Sequence, residues 1–249
     1  MSGHNKWSTI KRKKGAADAK RSKVFSRIVK EVQIAVRESG SDPDSNPRLR
    51  LAIANAKGAN MPKDNLLRAI NKAEKEGADL QEVTFEGYGP GGVAIFIECL
   101  TDNNLRTVSN MRSIFNKRNG NLGTNGSLSF IFNRKGVFTI QAKEGLDPEE
   151  FELELIDFGL EEFDNQNDRY VLITAMEDFN RMQKKLEALN IEVENAELQR
   201  IPATTTKLDV ESSKKVLQMV EAFEDDDDVQ NVYHNLEMTA ELEAALEEE

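Results

Sequence analysis

The apolar residues of this chain change their period near residue 80. Before it they recur every three or four positions, and from Val83 short strand-like runs enter, with further helices between them. No single regular element satisfies both spacings, so a helical leading part must give way to a part built on strands. Counting 100° per residue from Lys20, Val24, Phe25, Ile28, Val29, Val32, Ala35 and Val36 fall within about 140° of arc, with Lys23, Arg27, Lys30 and Arg37 opposite. That helix offers one face to a core and the other to solvent. After a turn-rich loop, Asn46-Pro47 supplies an N-cap and a proline at the first helical position. Leu49, Ala52, Ile53 and Ala56 then share a face until Gly58. Pro62 opens a third helix with Leu66, Leu67, Ile70 and Ala73 inward, stopped by Gly77. These helices make a small domain over residues 1–79.

In the second part, Val83–Glu86 and Val93–Leu100 read as strands joined by Gly87-Tyr88-Gly89-Pro90-Gly91-Gly92. A helix from about Asn104 to Arg118 is expected to bury Leu105, Val108, Met111, Ile114 and Phe115. A Gly/Asn loop, Asn119–Ser127, leads to a strand Leu128–Phe132. From Gly136 a complete β-α-β-β-α-β order can be counted: Val137–Gln141, Pro148–Phe158, Leu160–Phe163, Tyr170–Ala175, Glu177–Leu189 and Glu192–Arg200. This is the order of a split βαβ, ferredoxin-like domain. The remainder, Thr204–Lys207, helix Ser212–Phe223 and strand Val229–Leu236, lacks partners of its own and completes the unit begun at Val83. The expected class is α+β: a helical domain, a discontinuous ferredoxin-like domain over 80–133 and 202–249, and a second one inserted at 134–201. Thr239–Glu249 reads as an acidic, frayed helix.

Charge is segregated along the same boundary. Residues 1–75 hold eighteen bases and seven acids, net +11, in a chain of 249 residues whose whole is −11, which leaves −22 on residues 76–249. Eleven of those bases lie within the first 37 residues, four of them adjacent at Lys11-Arg12-Lys13-Lys14, with the one Trp of the chain at Trp7. Such a segment reads as an arm that neutralises phosphates, the alternative being a tail kept soluble by its charge. The acidic remainder would repel the same polyanion and favour one docking orientation.

Several chemistries are poorly supplied. One cysteine, Cys99, sits in an apolar run as a small core residue, and only His4 and His234 are available, so disulfides, zinc clusters and His-driven relays are not expected. No stretch approaches the ~18 apolar residues of a membrane span, and the basic N-terminus lacks the apolar core of a signal peptide, so a cytoplasmic chain is expected. Gly87–Gly92 spells G-x-G-x-x-G, but a strand follows where a dinucleotide site needs a helix. Asp225-Asp226-Asp227-Asp228 lacks the glycine of a calcium loop and reads as a solvated connection. No pair of carboxylates is marked as acid and base, and no enzyme, cofactor, metal or small-molecule substrate is expected.

A second cationic set lies between Asn103 and Gly136, where six bases meet no acid: Arg106, Arg112, Lys117, Arg118, Arg134 and Lys135. Arg106, Asn110, Ser113 and Lys117 share an outer helix face, and the Gly120, Gly123 and Gly126 loop could bring backbone amides to phosphates. An ordinary solvated helix face explains the same residues.

Longer motifs run through the chain: Ser2-Gly3-His4-Asn5-Lys6-Trp7, Lys14-Gly15-Ala16-Ala17-Asp18-Ala19-Lys20-Arg21, Asn46-Pro47-Arg48-Leu49-Arg50, Gly87 to Val93, Gly120-Asn121-Leu122-Gly123 and Asp227 to Asn235. Together they resemble the YebC/PmpR family from residue 2 to about 236. The resemblance implies three domains, one helical and two α/β, in a cytoplasmic bacterial protein usually described as a probable DNA-binding transcriptional regulator. It also implies kinship with a mitochondrial translational activator of cytochrome oxidase and with proteins that ease ribosome stalling at proline-rich stretches. Where the family commonly has Asn, this chain has Leu105.

The expected contacts are Lys6, Lys11, Arg12, Lys13, Lys14, Lys20, Arg21, Lys23, Arg27 and Lys30 on phosphates, Trp7 on a base or packed beneath the arm, and Arg106 and Lys117 as a second set. The target is DNA, or ribosomal RNA and tRNA on the ribosome; no helix rich in Asn, Gln and Arg stands out to read a major groove. A protein-binding scaffold is the reading from another class. No membrane partner is expected, and none of these patterns bears on oligomeric state.

Overall fold

The computed structural model describes residues 17–76, 79–142, 147–166 and 168–247, apart from the side chains of 17–20 and 76. The chain forms two compact units, Asp79–Asn133 with Ile201–Glu249, and Ala17–Ala78 with Arg134–Arg200.

In the second of these units, helices α1 (Ala17–Ser39), α2 (Pro47–Gly58) and α3 (Lys63–Glu76) pack so that α2 and α3 both lie on α1. Val32, Ala35, Val36, Leu49, Ala52, Ala69 and Ala73 form their shared core. Small residues at the contact let the helix axes approach closely. Asn46 caps α2 as its side chain accepts from the Leu49 amide (3.0 Å), and its Nδ2 donates to the Ala35 and Gly40 carbonyls at 2.7 and 2.8 Å. One buried side chain thus closes the end of α1 and the start of α2. Two inward expectations fail: Val24 is 42% exposed and Leu67 45% exposed. Val24 sits more than two turns before Val32, the first buried residue of α1, and Leu67 lies one position past the Leu66–Ile70 face.

The same unit holds a sheet ordered β5-β6-β4-β7, from β4 (Phe132–Gln141), β5 (Leu160–Asn165), β6 (Arg169–Ala175) and β7 (Val193–Pro202). β4 and β5 pair antiparallel to β6, with Lys135 opposite Ala175 and Asn165 opposite Tyr170. Helices α5 (Pro148–Ile156) and α6 (Phe179–Ala188) bury Phe151, Leu155, Met182 and Leu186 on it. That order is the ferredoxin-like one read from the sequence. Edge strand β7 carries α2: Asn55 donates to the Ala196 carbonyl and accepts from the Ala196 amide, both at 2.9 Å, as a neighbouring strand would. A Cβ on Gly58 would overlap the Glu194 carbonyl, so glycine is needed where the helix end meets the strand. Leu51 joins the core of this sheet.

The other unit contains β1 (Gln81–Tyr88), β2 (Ala94–Thr101), α4 (Asn104–Lys117), β3 (Asn121–Leu122), α7 (Val210–Glu224), β8 (Val229–His234) and α8 (Ala240–Glu247). Its antiparallel sheet is ordered β3-β1-β2-β8, so the segment after the insertion does pair with β2. The Gly87–Gly92 stretch is the hairpin connection between β1 and β2, with Gly91 and Gly92 at φ 68° and 77°. On one face Met111 and Phe115 of α4 pack with Val216, Val220 and Phe223 of α7. Leu242 and Leu246 of α8 join them, so the last helix is docked and not frayed. Thr204–Lys207 contributes only a single bridge, Thr206 to Leu236.

Two further expectations are corrected here. Leu105 is 84% exposed, because it lies about 120° around the helix from Met111, the centre of the buried Thr107–Met111–Phe115 face. Residues 128–131 are turn and not strand, with the Ile131 amide bonded to the Leu128 carbonyl at 2.9 Å, and the strand starts at Phe132.

Candidate nucleic-acid interface

Lys6, Trp7, Lys11, Arg12, Lys13 and Lys14 lie outside the described residues, as does the side chain of Lys20. Of the remaining expected contacts on α1, Arg21 is exposed, whereas Lys23, Arg27 and Lys30 are half-buried and already interact within the chain. Residues 23, 27, 30, 34 and 37 share one side of the helix. Ile34, in the middle of that side, has no exposed surface. The cationic face is therefore covered at its centre; Arg37 is exposed at its C-terminal end, and Arg21 is exposed on the opposite side of the helix.

The sequence reading passed over the exposed bases of α2 and α3. Arg50, Lys57, Lys63, Arg68, Lys72 and Lys75 are all exposed, and Arg68, Lys72 and Lys75 follow the i, i+4, i+7 spacing of a single outer face. Arg48 is not available in the same way, since its guanidinium bridges Glu31 at 3.1 Å and Glu38 at 3.0 Å. Arg68 turns back on its own helix, donating to the Asp64 carbonyl at 3.2 Å and to the Asn65 side chain.

In the other unit the Asp225–Asp228 run is not simply solvated. Asp228 is 5% exposed and accepts from the Arg106 guanidinium at 2.7 Å, from Thr107 at 2.9 Å and from Thr101 at 3.1 Å. Arg106 also pairs with Asp102 at 2.8 Å, and Asn110 donates to Asp226 at 2.9 Å. The hydrogen bond to Asp228, followed by that to Asp102, raises the Arg106 pKa above its ordinary value. The guanidinium thus joins α4 to the loop before β8. Lys117 and Arg112 are exposed, Arg118 reaches Gln218 at 3.5 Å, and Lys135 is held by Glu161 at 2.6 Å.

The glycine loop is likewise committed. Glu86, 4% exposed on β1, accepts from the Gly126 amide at 2.7 Å and the Leu128 amide at 2.6 Å, while the Gly123 amide takes its backbone carbonyl at 2.7 Å. These amides face an internal carboxylate and carbonyl and do not form a phosphate cradle. Among the described residues no cluster of three or more His, Cys, Asp or Glu could hold a metal ion, and no helix is long and apolar enough to cross a membrane.

Residues 5–76 match the family model described as the TACO1/YebC protein N-terminal domain, and residues 80–236 that of the TACO1/YebC second and third domain. The chain belongs to the TACO1/YebC family. A probable transcriptional regulatory protein of Amoebophilus asiaticus is 50% identical over 239 residues, covering 95% of this chain and 98% of that protein. Another so named, from Chlorobaculum parvum, is 46% identical over 252 residues and covers the whole of both chains. The crystal structure of a conserved hypothetical protein from Aquifex aeolicus has a TM-score of 0.81 at 40% identity, covering 89% of this chain and 92% of that one. TACO1/YebC relatives thus carry a regulatory name, and transcription regulation is the coarse function they indicate. At the position where the resemblance leads one to expect Asn, Leu105 stands out into solvent and takes no part in the Arg106–Asp228 joint.

Proposed function

We propose that this TACO1/YebC-family chain is a nucleic-acid-binding regulator of gene expression that acts by binding and not by catalysis. The observation that carries the reading is the net +11 on residues 1–75 of a chain that totals −11. In this reading the basic arm, Lys6 and Lys11 to Lys14, wraps a phosphate backbone with Trp7 stacked on a base or packed beneath it. Lys20 and Arg21 continue the track, and the exposed bases of α2 and α3 extend it. Lys117 on α4 is a separate, second phosphate contact, while Arg106 serves mainly as a joint. The relatives' name, probable transcriptional regulatory protein, favours DNA as the target.

A second reading has its own support. Arg68, the arginine on the outer face of α3, is folded back on Asp64 and Asn65, so α3 does not present the bidentate fork that reads guanine in a major groove. Phosphate contact without base reading suits folded ribosomal RNA or tRNA as well as duplex DNA. A translation factor that eases stalling on the ribosome would need the same surface.

The test is affinity against salt. With six or more phosphates neutralised, binding to a duplex DNA or rRNA probe falls roughly 10³-fold between 50 and 200 mM salt. Replacing Lys11, Arg12, Lys13 and Lys14 by Glu abolishes it. Salt-independent binding, or full affinity in that variant, refutes the phosphate reading. Crosslinking in cells and sequencing of the retained strand separates promoter DNA from ribosomal RNA and tRNA.

A further inference from the structure

Phe130 is 77% exposed, more than any other aromatic side chain among the described residues. It is not a loose side chain on a loose loop. The turn that carries it is fastened beneath by Glu86 through the Gly126 and Leu128 amides, at 2.7 and 2.6 Å. On either side of it Leu128 (0% exposed) and Phe132 (5%) are sunk into a core with Ala94, Phe96 and Tyr233, on the sheet face opposite α4 and α7. The Ile131 amide is bonded to the Leu128 carbonyl at 2.9 Å, and the Ile131 carbonyl accepts from the Ala203 amide at 2.8 Å. The backbone on both sides of Phe130 is thus fixed, so the ring is presented at little entropic cost.

Its surroundings decide what it is presented to. Thr124, Asn125, Ser129 and Asn133 are exposed around it in the chain, and no acid occurs between Asn103 and Gly136. The unit to which the loop belongs is otherwise acidic. Docking of a protein would call for a contiguous apolar patch. A single aromatic face among neutral hydrogen-bonding side chains instead matches a planar, unpaired nucleobase. Tyr88, two residues beyond Glu86 on the same face of β1, is 36% exposed and adds a second ring on that side of the sheet. Stacking also supplies what the lysines of the proposed phosphate track lack, namely discrimination between unpaired and paired strands.

We propose that Phe130 is a stacking platform for an unpaired nucleobase, displayed by a turn that Glu86 holds in shape. This rests on the nucleic-acid reading above and specifies where that partner is single-stranded. The experiment compares the full-length wild type, Phe130→Ala and Phe130→Trp by fluorescence anisotropy on 20-nucleotide single-stranded DNA, single-stranded RNA and the corresponding duplex DNA. Phe130→Ala is expected to weaken single-strand binding about 5- to 150-fold while duplex affinity and melting temperature stay unchanged. Phe130→Trp retains affinity, and its added indole emission is quenched on binding. The strand type that loses more identifies RNA or melted DNA as the source of the base. Unchanged affinity of Phe130→Ala on every probe, with steep salt dependence intact, overturns the stacking role and leaves the phosphate reading standing. Equal loss on duplex and single strands overturns it as well. Failure of the wild type to bind any probe overturns both.

Discussion

Replacing Glu86 by Gln isolates what the carboxylate does for the 123–131 turn. Its two oxygens accept from different amides, Oε1 from Gly126 and Oε2 from Leu128. A glutamine of the same shape keeps one acceptor and turns an NH2 toward the other amide. The Leu128 amide is buried and the Gly126 amide only partly so, hence the carboxamide oxygen settles on Leu128 and Gly126 loses its partner. A hydrogen bond to a charged group contributes about 1.5–3 kcal/mol, and removing a carboxylate from a 4% exposed site returns part of that as relieved desolvation. The net loss is about 1–2 kcal/mol, or roughly 5- to 30-fold in the equilibrium for opening the turn. Glu86→Ala strands both amides and costs about 2–4 kcal/mol. Amide hydrogen exchange reads this directly: the Gly126 amide should exchange roughly 5- to 30-fold faster in Glu86→Gln, with Leu128 nearly unaffected, and both should accelerate in Glu86→Ala. Protection at Gly126 and Leu128 that is equal in all three proteins would show that the turn is held by its own backbone bonds, and the anchoring argument for Phe130 would fall with it.

Asn46→Ala removes three hydrogen bonds from a side chain that is 1% exposed and should destabilise the helical module by about 2–4 kcal/mol, measured by urea unfolding; a loss below about 0.5 kcal/mol contradicts its double capping role. Gly58→Ala should push the end of α2 off β7 and expose the Ala196 amide to exchange, whereas an unchanged amide there refutes the close approach. Asp209 caps α7, and the bond from Ser212 lowers its pKa below the usual 3.8. A depressed folded value means that its contribution is fully present above about pH 4 and is lost as pH falls through the folded pKa, so Asp209→Asn should flatten that part of an acid unfolding curve and leave neutral pH nearly unchanged.

Local patterns carried most of the fold because the physics behind them is local. Asn46-Pro47 starts a helix wherever it stands, and alternation from Val83 marks strands regardless of their neighbours. Strand 229–236 had no strand of its own to pair with in the sequence, and β8 lies on β2. What stayed hidden depends on pairs far apart in the chain. Asn55 reads as one more polar helix residue until Ala196 is placed beside it, and Gly58 reads as a stop signal until Glu194 is found against it. Leu128–Phe132 has the composition of a strand, and only Glu86, some forty residues earlier, explains why its first four residues turn instead.

The site was legible as a charge total but not as a map of open cations, and the difference has a physical cause. A lysine or arginine contributes to long-range attraction wherever it sits, yet it can release counterions from a phosphate chain only if its head group is not already neutralised. Sequence counts treat Arg106 and Lys117 alike as outward residues eleven positions, about three turns, apart along one face. Their environments separate them, because Asp228, more than a hundred residues later, is buried against Arg106 and satisfied by two threonine hydroxyls as well, whereas Lys117 stands exposed in the last turn of α4. Ile34 makes the same point on α1: a β-branched apolar residue inside a cationic stripe is the one sequence signal that this stripe would be covered, and its zero exposure bears that out. An apolar interruption in a basic face therefore predicts which part of it packs inward, and phosphate contacts are better sought at exposed bases such as Lys75 and Lys117, which stand on faces with no such interruption.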